Sequence, residues 1–127
     1  MSSIAPSRSL QATALTYLVL SIGHTAQGRD WTAEKLFKNI KGSRPWACGT
    51  VGWFQDLSLY LYLTGILHYQ WSHNPAALQD PLTKAIAGIS SAILWASSVW
   101  YAKTGVKDNA VLVGLSAALQ TYSVFSQ

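Results

Sequence analysis

Charge is scarce in this chain: 11% of its 127 residues are Asp, Glu, Lys or Arg, less than half the ~25% of an ordinary soluble domain. With 50% hydrophobic residues, that poverty excludes extended disorder and points to a membrane. Cysteine is nearly absent. Cys48 stands alone, so no internal disulfide forms, no metal-ligand spacing surrounds it, and a disulfide-stapled secreted domain is excluded. Phosphate-cradling G-x-x-x-x-G-K-S/T and G-x-G-x-x-G loops are missing, as are G-x-S-x-G, C-x-x-C and H-E-x-x-H. Nucleotide-dependent and zinc enzymes are therefore not expected. Arg8 is the only basic residue before the first apolar run, too few for a mitochondrial presequence. A signal-peptidase site after Ala26 would put His24 where a small residue belongs, so that run is read as a retained first helix.

What the chain has instead is four uncharged or nearly uncharged runs, at about 9–26, 46–71, 82–102 and 109–126. At 1.5 Å per residue each reaches roughly 27 to 39 Å, enough for the ~30 Å hydrocarbon core. A soluble four-helix bundle would carry charge along every outer face, yet only Asp56 and Lys84 fall inside these runs. The expected fold is all-α, a single four-helix transmembrane bundle. Arg29, Lys35, Lys38, Lys41, Arg44, Lys103 and Lys107 lie in the loops at one end, against Arg8 and Lys84 at the other. The excess of basic residues puts that first end in the cytosol and both termini on the other side. In the first loop Ala33, Leu36, Phe37 and Ile40 share one helical face, with Asp30 placed to cap it, Gly42 to stop it and Pro45 to keep it from the next span. A short interfacial helix is expected there, as either an anionic-lipid contact or a solvated basic loop. The loop is too short and too close to the membrane for nucleic acid. Asn74-Pro75 and Asp80-Pro81 mark a tight turn between the second and third runs. Stripes of small residues, Gly88/Ala92/Ala96 and Ala110/Gly114/Ala118, would let helices of the bundle approach closely or form a homodimer face.

Asp56 lies about ten residues into the second run, where an acid costs roughly 2.5 kcal/mol or more unless paired or protonated. His24 is within reach in depth, directly or through water, and the two make a candidate proton-exchanging catalytic pair. Gln55, Tyr60, Trp95 and Gln120 are candidate ligand-binding residues, with Ser97, Ser98, Trp53, Phe54 and Tyr122 around them. Gly49, Gly52, Asp56 and Tyr60 share a helical face that opens a small polar pocket. The alternatives for Asp56 are a hydrogen bond that fixes helix register, and ion or proton translocation, against which stands the lack of an acid in the first run. His68 and His73 are expected near the opposite surface, without a metal.

Gly23-His24-Thr25 with Gly28 and Trp31, Gly52-Trp53-Phe54-Gln55, Trp95-Ala96-Ser97-Ser98 with Trp100-Tyr101, Gly105 and Asp108, and Gly114 to Tyr122 with Gln120 form a series spanning nearly the whole chain. It resembles small four-span integral membrane proteins of filamentous fungi, some encoded beside secondary-metabolite genes. The resemblance implies an endoplasmic-reticulum or related membrane and a hydrophobic polyketide or terpenoid ligand. With no cofactor expected, His24 and Asp56 have proton transfer available to them, which suits an isomerase, cyclase or dehydratase step. The alternatives are a non-enzymatic scaffold for a pathway enzyme and a small dimeric transporter.

Overall fold

The computed structural model describes residues 5–127, apart from the side chains of Trp53 and Phe54. The described residues are helical throughout, with no strand. Helix α1 (Arg8–Ala33) starts at Ser7, whose hydroxyl accepts the Leu10 N–H. A single turn, α2 (Lys35–Lys38), follows. The chain then runs without leaving helical geometry through α3 (Arg44–Cys48), a π-helical stretch (Gly49–Asp56) and α4 (Leu57–His73). A 3-10 turn (Pro75–Gln79) leads to α5 (Pro81–Lys103), and α6 (Lys107–Phe125) closes the bundle.

Cross-helix bonds give an up-down-up-down arrangement. Helices α1 and α4 run antiparallel, with Ser7 N–H on the Ser72 carbonyl at 2.7 Å and Ser21 Oγ on the Ser58 carbonyl at 2.9 Å. Helices α5 and α6 do the same through Ser91–Thr121 (2.6 Å) and Ser98 Oγ to the Ala110 carbonyl (2.7 Å). Thr13 to Ser123 (2.8 Å) and Gln27 to Asn109 tie α1 to α6. At the end holding both termini, Leu10, Trp71, Leu78, Ala87 and Val124 make one apolar cluster; nearer the loops Tyr17, Leu20, Leu61, Leu94 and Ala117 make the other.

Many polar side chains lie inside the bundle and many large apolar ones outside it. Thr13, Thr64, His68, Ser72, Gln120 and Ser123 are buried, while Leu15, Ile22, Leu59, Leu63, Ile89 and Leu115 are exposed on the four long helices. One helix among the described residues, α5, is long and apolar enough to cross a membrane, and only 22% of its most apolar stretch is buried in the bundle. Helix α4 has 17 residues, short of the ~20 a span needs, and α1 is diluted by Ser, Thr, Gln and Gly.

Several local expectations change. Helix α1 runs on through Asp30 to Ala33, so Asp30 caps nothing; the helix expected in the first loop shrinks to the single turn α2, with Phe37 turned onto Trp31 and Leu36 left outside. Gly42 does mark a stop, at φ +84°. Pro45 sits in the first turn of α3, where its missing N–H costs no helical bond, and the chain breaks from helical geometry between α2 and α3 as expected. The Gly88/Ala92/Ala96 stripe does not pack inside the bundle: Ala92 and Ala96 face out, and a Cβ on Gly88 would meet nothing within 4 Å. Close packing falls to Gly114 of the other stripe, where a Cβ would lie 2.8 Å from Ser98 Oγ, and to Gly65, where a Cβ would lie 3.2 Å from the Ala14 carbonyl oxygen and 3.2 Å from Tyr17 Cβ. Gly65→Ala must push backbone apart and is expected to cost about 1–3 kcal/mol. Gly88→Ala, in open space, should be neutral or stabilising; unfolding in detergent compares the two.

The second turn forms as expected. Pro81 occupies the first turn of α5, and the Asp80 carboxylate accepts the Thr83 N–H at 2.8 Å. That bond holds the Asp80 carboxyl below the usual carboxylate range. With a folded pKa below the unfolded one, the cap stabilises fully above the ordinary carboxylate pKa and is lost as pH falls through the lowered value. Asp80→Ala should lower the melting temperature at neutral pH and Asp80→Asn should leave it less acid-sensitive, as thermal unfolding across the acid range would show.

Candidate functional site

The four long helices line a cleft of about 380 Å³ toward the loop end, within the range of small-molecule pockets and open to the surface, with Val19, Ile93 and Leu112 of its lining exposed. Its walls are apolar: Leu20 from α1, Leu57 and Leu61 from α4, Ile93 and Leu94 from α5, Leu112 and Val113 from α6. Its polar groups are His24, Gln27, Ser97, Tyr101 and Asn109. Gln27 and Asn109 join side chains reciprocally, at 2.9 and 3.1 Å, and bridge α1 to the first turn of α6. A second, outer groove of like volume between α1 and α4 is lined by Ala14, Leu15, Leu18 and Ile66 with Gln11, Tyr62 and Tyr69. Its lining holds no imidazole or carboxyl group.

His24 is the imidazole of the cavity wall. Its Nδ1 lies 2.9 Å from Ser58 Oγ, and Ser58 is held in turn by Thr25 Oγ1 at 3.2 Å and, through its carbonyl, by Ser21. A half-buried imidazole braced by a hydroxyl, with apolar walls ahead of it, is equipped to take up or give a proton to a bound molecule.

Asp56 does not join it. The hydroxyl of Ser58 stands at the His24 imidazole, while Asp56 is exposed at the last turn of the π-helical stretch. Two physical facts separate them from the expected pair. The depth of Asp56 was reckoned from Trp46, but the four-helix section begins near Ser58: Ser58 is level with His24, and the neighbouring Gln27 already meets the first turn of α6. Asp56 is therefore close to the end of the bundle, and Arg44–Gln55 projects past it. The wider i to i+5 turns of the π-helix also shift the angular register, so Gly49, Gly52, Asp56 and Tyr60 no longer share a face. Gln55 is exposed as well. Trp95 is outward, with its Nε1 donating to Thr121 Oγ1 at 3.0 Å, and Tyr122 is exposed. Trp53 and Phe54, expected as walls, have side chains outside the described residues.

Tyr60 and Gln120 do turn inward, toward a buried polar chain rather than toward Asp56. His68, wholly buried, places Nδ1 2.8 Å from the Thr64 carbonyl. A carbonyl only accepts, so that nitrogen carries the proton and Nε2 is left to accept from the Gln120 amide at 3.2 Å. The second amide hydrogen of Gln120 points to the Ala87 carbonyl at 3.3 Å. Tyr17 stacks on His68 at 5.0 Å between centroids, and Trp71 meets it edge-on at 4.9 Å. Gln120 Oε1 and the hydroxyls of Tyr17 and Tyr60 are buried without a partner among the described residues.

His68 was expected at a surface because the second run was taken to end at Trp71. Instead Trp71 is itself core, and the 3-10 turn folds Leu78 over it. The signal for this was the Thr64–His68 spacing of four inside an uncharged stretch, which lets an imidazole bond its own helix. Among the described residues no group of His, Cys, Asp or Glu is arranged to hold a metal ion. The chain matches no family model, no curated protein and no solved structure.

Proposed function

We propose that this chain is a four-span membrane protein that holds a lipophilic small molecule in the cavity between its helices, and that His24 moves a proton on it. The observation that carries the reading is an apolar cavity of about 380 Å³ with one imidazole, braced by Ser58, in its wall. The inverted polarity of the bundle supports the membrane setting: lipid tolerates exposed Leu and Ile on every helix, and buried Ser, Thr, His and Gln glue the helices where water exclusion cannot. The basic loop end faces the cytosol and the termini lie opposite. Placing Asp56 near the end of the bundle removes the cost an acid would bear in mid-bilayer.

Proton transfer without a cofactor suits an isomerisation, cyclisation or dehydration, and the resemblance to fungal proteins suggests a polyketide or terpenoid in an endoplasmic-reticulum membrane. The test is metabolite profiling of the source organism with the gene deleted and then restored. An intermediate that accumulates and is cleared on restoration supports the reading and reveals the ligand. An unchanged profile, with the protein present at normal level in the parent, defeats it.

A further inference from the structure

We propose that the segment joining α1 to α3 is a docking surface for anionic phospholipid, gripping the cytosolic leaflet. The inference rests on the membrane reading above. Lys35, Lys38 and Lys41 are spaced along the segment and Arg29 and Arg44 flank it, so the surface is basic despite Asp30 and Glu34. Charge in such a loop follows from topology alone; the placement of its apolar residues does not. Phe37 is pinned inward, edge-on to Trp31 at 4.8 Å between centroids and so close to Gly49 that a Cβ there would be 3.3 Å from its ring. With Phe37 anchored, Leu36 is left 80% exposed and Ile40 39% exposed among the three lysines. A loop serving only to mark topology has no use for an exposed leucine. Ammonium groups around a protruding apolar pair match a lipid surface, where phosphates meet the lysines and acyl chains receive Leu36 and Ile40. A free phosphate would use the lysines and waste the apolar pair, which is why the occupant is lipid.

The test uses the full chain in nanodiscs of phosphatidylcholine, with and without phosphatidylserine. An environment-sensitive fluorophore is attached at Leu36→Cys in a Cys48→Ser background, with Ile40→Cys as an independent second site. A blue-shifted emission, protected from an aqueous quencher only where phosphatidylserine is present, is expected. It should be lost in Lys35→Gln/Lys38→Gln/Lys41→Gln, whose preference for the anionic lipid should fall roughly a hundredfold, and should weaken at high salt. Equal emission in both nanodiscs, or no change in the triple variant, overturns the inference while leaving the membrane reading intact. A chain that stays in solution without detergent and enters neither nanodisc overturns both.

Discussion

His24→Gln is expected to lower turnover of the accumulating intermediate by about 10²- to 10⁴-fold, the usual worth of a positioned acid or base. The amide keeps a hydrogen-bonding partner for Ser58, 2.9 Å away in the parent, and roughly the same bulk in the cavity wall, yet does not exchange a proton near neutral pH. Binding of the ligand should therefore survive while its conversion fails. Asp56→Asn is the matched control. Exposed near the end of the bundle and outside the cleft's lining, it should remain within a few-fold of the parent. Complementation of the deletion strain with each variant, the intermediate quantified and the protein level checked, reads both. Full rescue by His24→Gln returns the chain to a scaffold or carrier. Failure of Asp56→Asn with rescue by His24→Gln would move the chemistry to the loop end.

The contrast between these two residues shows what the sequence makes legible. Helix α5 was readable almost to the residue, because Asp80-Pro81 is a local start signal and the uncharged run ends at Lys103; local signals survive folding. The composition also announced the apolar exterior, since charge that is missing everywhere is missing outside. Depth was not legible. It depends on where the partner helices end, and the start of α6 at Lys107, not the aromatic Trp46, sets the end of the bundle beside Asp56. Rotation was not legible either: one period was assumed from Gly49 to Tyr60, and the π-helical stretch breaks it. Gln120, expected as a ligand-binding residue beside Asp56, bonds His68 and the Ala87 carbonyl in the core instead, and His68 was assigned to a surface that the 3-10 turn covers. Which polar groups meet is decided by helix ends and rotations, and these are tertiary facts.

The buried polar chain should dominate stability, and packing rather than hydrogen bonding should be its larger share. His68→Ala empties the space on which Tyr17 stacks and against which Trp71 sets its edge, and leaves the Gln120 amide short of an acceptor. A loss of about 2–5 kcal/mol is expected, as for other large-to-small core changes. His68→Phe refills the volume but accepts no hydrogen bond, so it isolates the polar contribution. Hydrogen bonds between helices in lipid average about 0.6 kcal/mol and reach about 1.7 kcal/mol, because a helix apart from its partner in the membrane also finds other donors and acceptors. His68→Phe should accordingly cost much less than His68→Ala. Adding Gln120→Leu to His68→Phe removes both partners of the 3.2 Å contact together, so the double variant should be destabilised by less than the sum of the two single changes. Unfolding of the four proteins in one detergent completes the cycle. If His68→Phe proves as damaging as His68→Ala, the imidazole nitrogens and not the ring's bulk hold the bundle, and the unpartnered hydroxyls of Tyr17 and Tyr60 belong to a network that the packing argument undervalues.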